Sequence, residues 1–142
     1  MKIYTSNLIE VESNCVYPNE VNAVDVRSFE KAASFDHVMA KYKNSYRSND
    51  NFIESECVPM DIDNDHSENP DDWISANDLK RIFDGVKFAI VYSRNHRKEK
   101  NGKAARPRMH IYFPIPEITN LAEYVGIKKG WRRLILFLMG MP

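Results

Sequence analysis

The chain has 142 residues, room for one domain with a single core and little apolar content to spare. Twenty Lys and Arg balance twenty Asp and Glu, so no global basic field advertises nucleic acid. Cys15 and Cys57 are too few for a disulfide framework and lack zinc spacing, which fits a reduced cytoplasmic protein.

Met1 to Glu12 carries Lys2 but no long apolar core and no small-residue cleavage site, so no secretory signal is read there. Up to Val26 the signals are weak: a short strand at Lys2 to Tyr4, then punctuation at Asn14, Pro18 and Asn19 that predicts irregular chain. Ser28 is placed to cap a helix running to about Lys43, with Phe29, Ala32, Ala33, Val38, Met39 and Tyr42 as its apolar stripe. Asp36 and His37 interrupt that stripe, and the histidine reads as a hydrogen-bonded structural residue.

After a polar turn over Asn44 to Asn51, Phe52 to Asp63 reads as a strand. Alternation then projects Asp61 and Asp63 together while Ile62 points to a core. Pro59 cannot donate to a ladder and predicts an edge or a bulge just before the acids. Asn69-Pro70-Asp71-Asp72 reads as a turn into a helix over Asp78 to Phe83, capped by Ser75 or Asn77 and closed at Asp84-Gly85.

Val86 to Ser93 gives the clearest strand pattern, and its apolar run Phe88 to Tyr92 predicts a central strand covered on both faces. The basic segment His96 to Arg106, with Asn101-Gly102 at its middle, reads as a long hairpin-like connection, and Pro107 marks entry to a strand over Arg108 to Ile115. On that strand Arg108, His110 and Tyr112 share one face, and Met109, Ile111 and Phe113 the other. Glu117 to Lys129 predicts a helix interrupted by Gly126. The longest apolar run, Leu134 to Met139, is far short of the roughly 20 residues a membrane span needs, so a soluble protein with no membrane partner is expected.

The charges are segregated. Asp61, Asp63, Asp65, Glu68, Asp71 and Asp72 cluster in one segment; Arg94, Arg97, Lys98, Lys100, Lys103, Arg106 and Arg108 lie in the next but one. Two adjacent carboxylates repel unless a cation lies between them, and oxygen-only ligation points to Mg²⁺ or Mn²⁺ at Asp61 and Asp63. A calcium loop places Asp61, Asp63 and Asp65 at its first, third and fifth positions, but His66 stands where the turn glycine belongs and Asp72 where the bidentate glutamate belongs. Arg108 and His110 on one face suit a triphosphate tail, and Arg94 and His96 fall where they could reach the same cleft. Lys98, Lys100, Lys103 and Arg106 read equally as a solvated hairpin or as contacts to a nucleic-acid backbone.

Asp61-Ile-Asp63 on a strand, then Arg94-Asn-His96 and Arg106-Pro-Arg108-Met-His110, resembles the catalytic core of the archaeo-eukaryotic primase superfamily, in particular the primase-polymerases of bacterial mobile elements. The resemblance runs from about Tyr17 to about Lys128. It implies an α+β fold: an RRM-like antiparallel sheet with helices packed on one face, plus an N-terminal α/β part. It further implies a nucleotidyltransferase that uses NTP or dNTP on a DNA template, single-stranded or primed, in the replication of a mobile element, with a helicase as a further partner. Asp61 and Asp63 then hold the divalent ions and His110 contacts the nucleotide's phosphates.

One element of that family's pattern has no counterpart. No aspartate follows Asp84, and Glu117 and Glu123 fall where a helix is expected, so the third metal carboxylate is not found. From about Gly130 the text diverges, as in a truncated or frame-shifted product. The alternative expectation is therefore a catalytically inactive fragment that still binds nucleotide or nucleic acid.

Overall fold

The computed structural model describes residues 1–140; Met141 and Pro142, the end of the divergent tail, lie outside the described residues. The chain is α+β, with strands β1 (Lys2–Thr5), β2 (Asn19–Asn22), β3 (His37–Val38), β4 (Ala40–Tyr42), β5 (Phe52–Ile62), β6 (Ala89–Tyr92) and β7 (Met109–Ile118). Its helices are α1 (Val26–Ala33), α2 (Ala76–Ile82) and α3 (Leu121–Leu138). Two antiparallel sheets form, in the orders β2-β1-β3 and β4-β5-β7-β6. No described helix is long and apolar enough to cross a membrane.

The chain divides into two compact units. The first comprises residues 1–58 and 114–130. In it β1 pairs with β2 from Lys2↔Asn22 to Thr5↔Asn19, so the expected lone strand at the N-terminus is the centre of a sheet. The predicted helix to Lys43 stops at Ala33. Asp25 caps it, with Ser28 at the third position completing a reciprocal capping box. Asp36 then accepts the backbone N–H groups of Glu10 and Val11, and His37 pairs with Thr5, so the residues that broke the stripe belong to a bend and a strand. His37 Nδ1 lies 2.8 Å from the Phe35 carbonyl, the structural role expected of it.

The core of this unit packs Ala40, Ile118 and Tyr124 with Tyr42, Phe52, Ile115 and Ile127. Tyr124 stacks on Phe52 at 5.3 Å, and its hydroxyl donates to the Cys57 carbonyl at 2.9 Å. Burial pushes that phenol up to about 12. Glu117, expected at a helix entry, lies on β7 instead. A hydrogen bond with the Glu54 carboxyl beside it raises its pKa above the ordinary value.

The second unit comprises residues 59–113 and the chain from Trp131. Its core is aromatic: Phe113 packs against Phe83 at 5.1 Å, Phe88 at 5.7 Å and Trp131 at 4.6 Å, with Leu79, Met109 and Ile111 also buried. Ser75 caps α2 in a second capping box with Asp78, and Gly85, at φ 80°, follows where L side chains are strained. The strand expected over Val86 to Ser93 is shorter and lies at the sheet edge, pairing only with β7. The strand covered on both sides is β7, where Met109, Ile111 and Phe113 are buried on one face and Tyr112 on the other, with Arg108 buried just before it. Helix α3 continues without a break through Gly126 and Gly130, from which the text diverges, to Leu138 within the apolar run.

Candidate active site

β5 delivers the acids as its alternation predicts. Asp61 is exposed and Ile62 buried at the end of β5, and just past it Asp63 and Asp65 are exposed while Asn64 is buried. The ladder with β4 ends at Ser55, so Pro59 lies past it and removes no bond from that pairing.

Asn64 fixes this arrangement. It sits at φ 54°, a left-handed conformation that asparagine tolerates better than other side chains. Its amide donates to the carbonyls of Ile74 and Pro107 at 3.0 and 2.8 Å and accepts the Ile74 N–H at 2.8 Å. One buried amide thereby ties the end of β5 to the entry of β7 and to the approach to α2.

The start of β7 and the residue before it answer with bases. His110 Nδ1 meets Asp61 Oδ1 at 2.5 Å, and Arg108 Nη1 lies 3.6 Å from Asp63 Oδ1 and 3.0 Å from Asp65 Oδ1. The His110 hydrogen bond is the main reason the Asp61 carboxyl is held below its ordinary value, with the charges of His110 and Lys100 adding to it against partial desolvation. Opposite polarities thus face one another across two neighbouring strands.

The other sequence-predicted residues divide by location. His96 packs at a tilt against Tyr92, ring centroids 4.2 Å apart, and its Nδ1 accepts the backbone N–H of Arg108 at 3.2 Å, so it anchors the turn after β6. Arg94 is exposed on the same turn. The basic hairpin closes at a Lys100↔Lys103 bridge, with Asn101 and Gly102 both at positive φ as a tight primed turn demands.

Within that hairpin Lys98 is exposed and Lys100 half-buried, whereas Lys103 reaches Asp65. Arg106 is turned inward. Its guanidinium donates to the carbonyls of Asn64 and Ser67 and to Glu68, and lies 5.0 Å over the Trp73 ring. That buried network corrects the expectation that Arg106 presents itself to a nucleic-acid backbone; it is a pillar of the site.

No family model, curated protein or solved structure matches the chain. The site therefore rests on its own geometry. Among the described residues no group of three or more His, Cys, Asp and Glu side chains is arranged to hold a metal ion. The two exposed carboxylates of Asp61 and Asp63 are nonetheless the hard oxygen donors that Mg²⁺ or Mn²⁺ takes, since such ions are often held by one or two carboxylates with water and substrate phosphate completing the shell. The acids a calcium loop would gather are engaged elsewhere: Asp65 with Arg108 and Lys103, and Asp72 as acceptor of the Ser67 hydroxyl at 2.6 Å.

Sequence reasoning did not single out Asn64, and weighed Asp65 only as a calcium ligand. For Asp65 the i, i+2 spacing to Asp63 was visible, but the strand ends at Ile62 and a turn, not alternation, places it. Nothing local marks Asn64, whose partners lie 10 and 43 residues away.

Proposed function

We propose that this chain carries a primase-polymerase-type nucleotidyltransferase site, in which a 3′-hydroxyl displaces pyrophosphate from the α-phosphorus of an NTP or dNTP on a DNA template. The observation that carries the reading is the pairing of Asp61 and Asp63, at the end of β5, with His110 and Arg108, at the start of β7. The RRM-like reading is supported by chain order: β5, α2, β6, β7 and α3 follow in a β-α-β-β-α sequence with the first and third of those strands adjacent.

In this reading Asp61 and Asp63 hold Mg²⁺ or Mn²⁺, which when bound neutralises phosphate charge and activates the attacking hydroxyl. Arg108 supplies a planar fork for phosphoryl oxygens, and its burial keeps that charge from being screened. His110, on the open part of β7, is placed to exchange its bond with Asp61 for one to the triphosphate. Lys98 and Lys100 remain available to a nucleic-acid backbone.

Primer extension with Mn²⁺ tests the proposal. Template-dependent product is expected from the native chain and should vanish in Asp61→Ala and fall by about a hundredfold or more in His110→Ala, the size of loss typical of a preorganised electrostatic group. The second reading, an inactive fragment that binds nucleotide or nucleic acid, is favoured by the missing third carboxylate. It predicts salt-sensitive nucleotide binding, weakened in His110→Ala, with no product from the native chain.

A further inference from the structure

Asp65 is the acid that the metal pair leaves over. Its Oδ1 stands 3.0 Å from Arg108 Nη1, 3.7 Å from Lys103 Nζ and 3.9 Å from Arg106 Nη1. Three cations converge on a single oxygen, which is how a phosphoryl oxygen is held.

Arg108 is only 1% exposed, yet none of its three guanidinium nitrogens makes a hydrogen bond with a described residue. The 3.0 Å approach of Asp65 is therefore a charge contact that misses hydrogen-bond alignment. A buried guanidinium is normally met in its plane by an oxyanion with two oxygens, because leaving its donors unmade is costly. Asp65 satisfies the charge and leaves the fork open.

The two sides of this contact differ in rigidity. Arg106 is held from behind by the Asn64 and Ser67 carbonyls, and the backbone of Arg108, the residue before β7, is tied twice: its carbonyl accepts the Ser93 N–H at 3.0 Å and its N–H donates to His96 Nδ1 at 3.2 Å. Asp65 lies on the exposed turn after β5. The anchors of Arg106 and Arg108 do not depend on that carboxylate.

We propose that Asp65 is a positioning residue that stands in for a phosphate group, holding the Arg108–Lys103 seat open in the free protein and yielding it to a polyphosphate ligand. The identity of that ligand as a nucleotide tail rests on the function proposed above; the anion seat does not. Were Asp65 instead the missing third metal ligand, removing its charge would act in the opposite direction.

Binding of inorganic tripolyphosphate, measured calorimetrically in the presence of a chelator and at low ionic strength, tests this. Asp65→Asn should bind about tenfold tighter than the native chain, the order expected from removing one partly screened like charge beside the ligand. Asp65→Glu should bind like the native chain, and Mn²⁺ affinity, read from the free-ion resonance, should be unchanged in both.

Unchanged or weaker tripolyphosphate binding by Asp65→Asn overturns the proposal, as does a loss of Mn²⁺ affinity, which would make Asp65 a metal ligand. A measurement on the native chain stands apart from any variant's folding: the Asp65 carboxyl carbon resonance should move on saturation with tripolyphosphate, and a resonance that stays still also overturns it. Failure of primer extension with the tripolyphosphate gain intact would sink the polymerase reading and leave this one standing.

Discussion

Asp61 carries the most direct test of the site's electrostatics. His110 and, more weakly, Lys100 hold its carboxyl below the ordinary value of 3.8. Its folded pKa is thus depressed relative to the unfolded chain, so the stability it contributes is present above about pH 3.9 and is lost as pH falls through the folded value. The side chain is 68% exposed, so screening keeps that contribution small. A carboxyl-detected titration should find Asp61 below its ordinary value and should find it raised in His110→Ala. Asn64 belongs to stability and not to chemistry. Asn64→Ala orphans buried partners and puts alanine into a left-handed conformation, at a cost of about 2–4 kcal/mol in urea unfolding.

Glycines at 126 and 130 lie within α3, where an added methyl meets nothing within 4 Å and φ is not positive. Gly126→Ala and Gly130→Ala should each raise unfolding free energy by about 0.5–1 kcal/mol, through helix propensity alone. β5 was readable almost to the residue because a polar turn bounds it on one side and a burst of carboxylates on the other, and α2 because Ser75 and Asp78 form a local capping box. The turn at Asn101-Gly102 was readable because two positive φ values leave few residue choices. The α1 boundary was not, since Asp36 and His37 find their partners in residues 5 to 11, which no local period displays. β6 was misplaced because an apolar run reports burial without saying which neighbour covers it. In the site, the strand faces of Asp61, Asp63, Arg108 and His110 were legible; the inward turn of Arg106 was not, because its acceptors are backbone carbonyls with no signature of their own.

Taken whole, the chain has formal charge zero and an isoelectric point near 6.9, with its acids and bases held in separate segments. Light scattering against pH should show a solubility minimum near neutrality, relieved by added salt, because patches of opposite sign on different copies attract when net repulsion vanishes.

The adjacency of β5 and β7 has a consequence for biogenesis. Asp61 and His110 are 49 residues apart in the chain, and Arg106 lies 42 beyond Asn64. Closing such a loop forfeits chain entropy before any contact rewards it, whereas α2 and the β6–β7 hairpin need only near neighbours. During synthesis the acidic strand leaves the ribosome first and waits, its carboxylates unanswered, until the second half of the hairpin arrives. A nascent chain stalled before Arg106 has every carboxylate of the site and lacks Arg106, Arg108 and His110, the three bases that meet them from the β7 side.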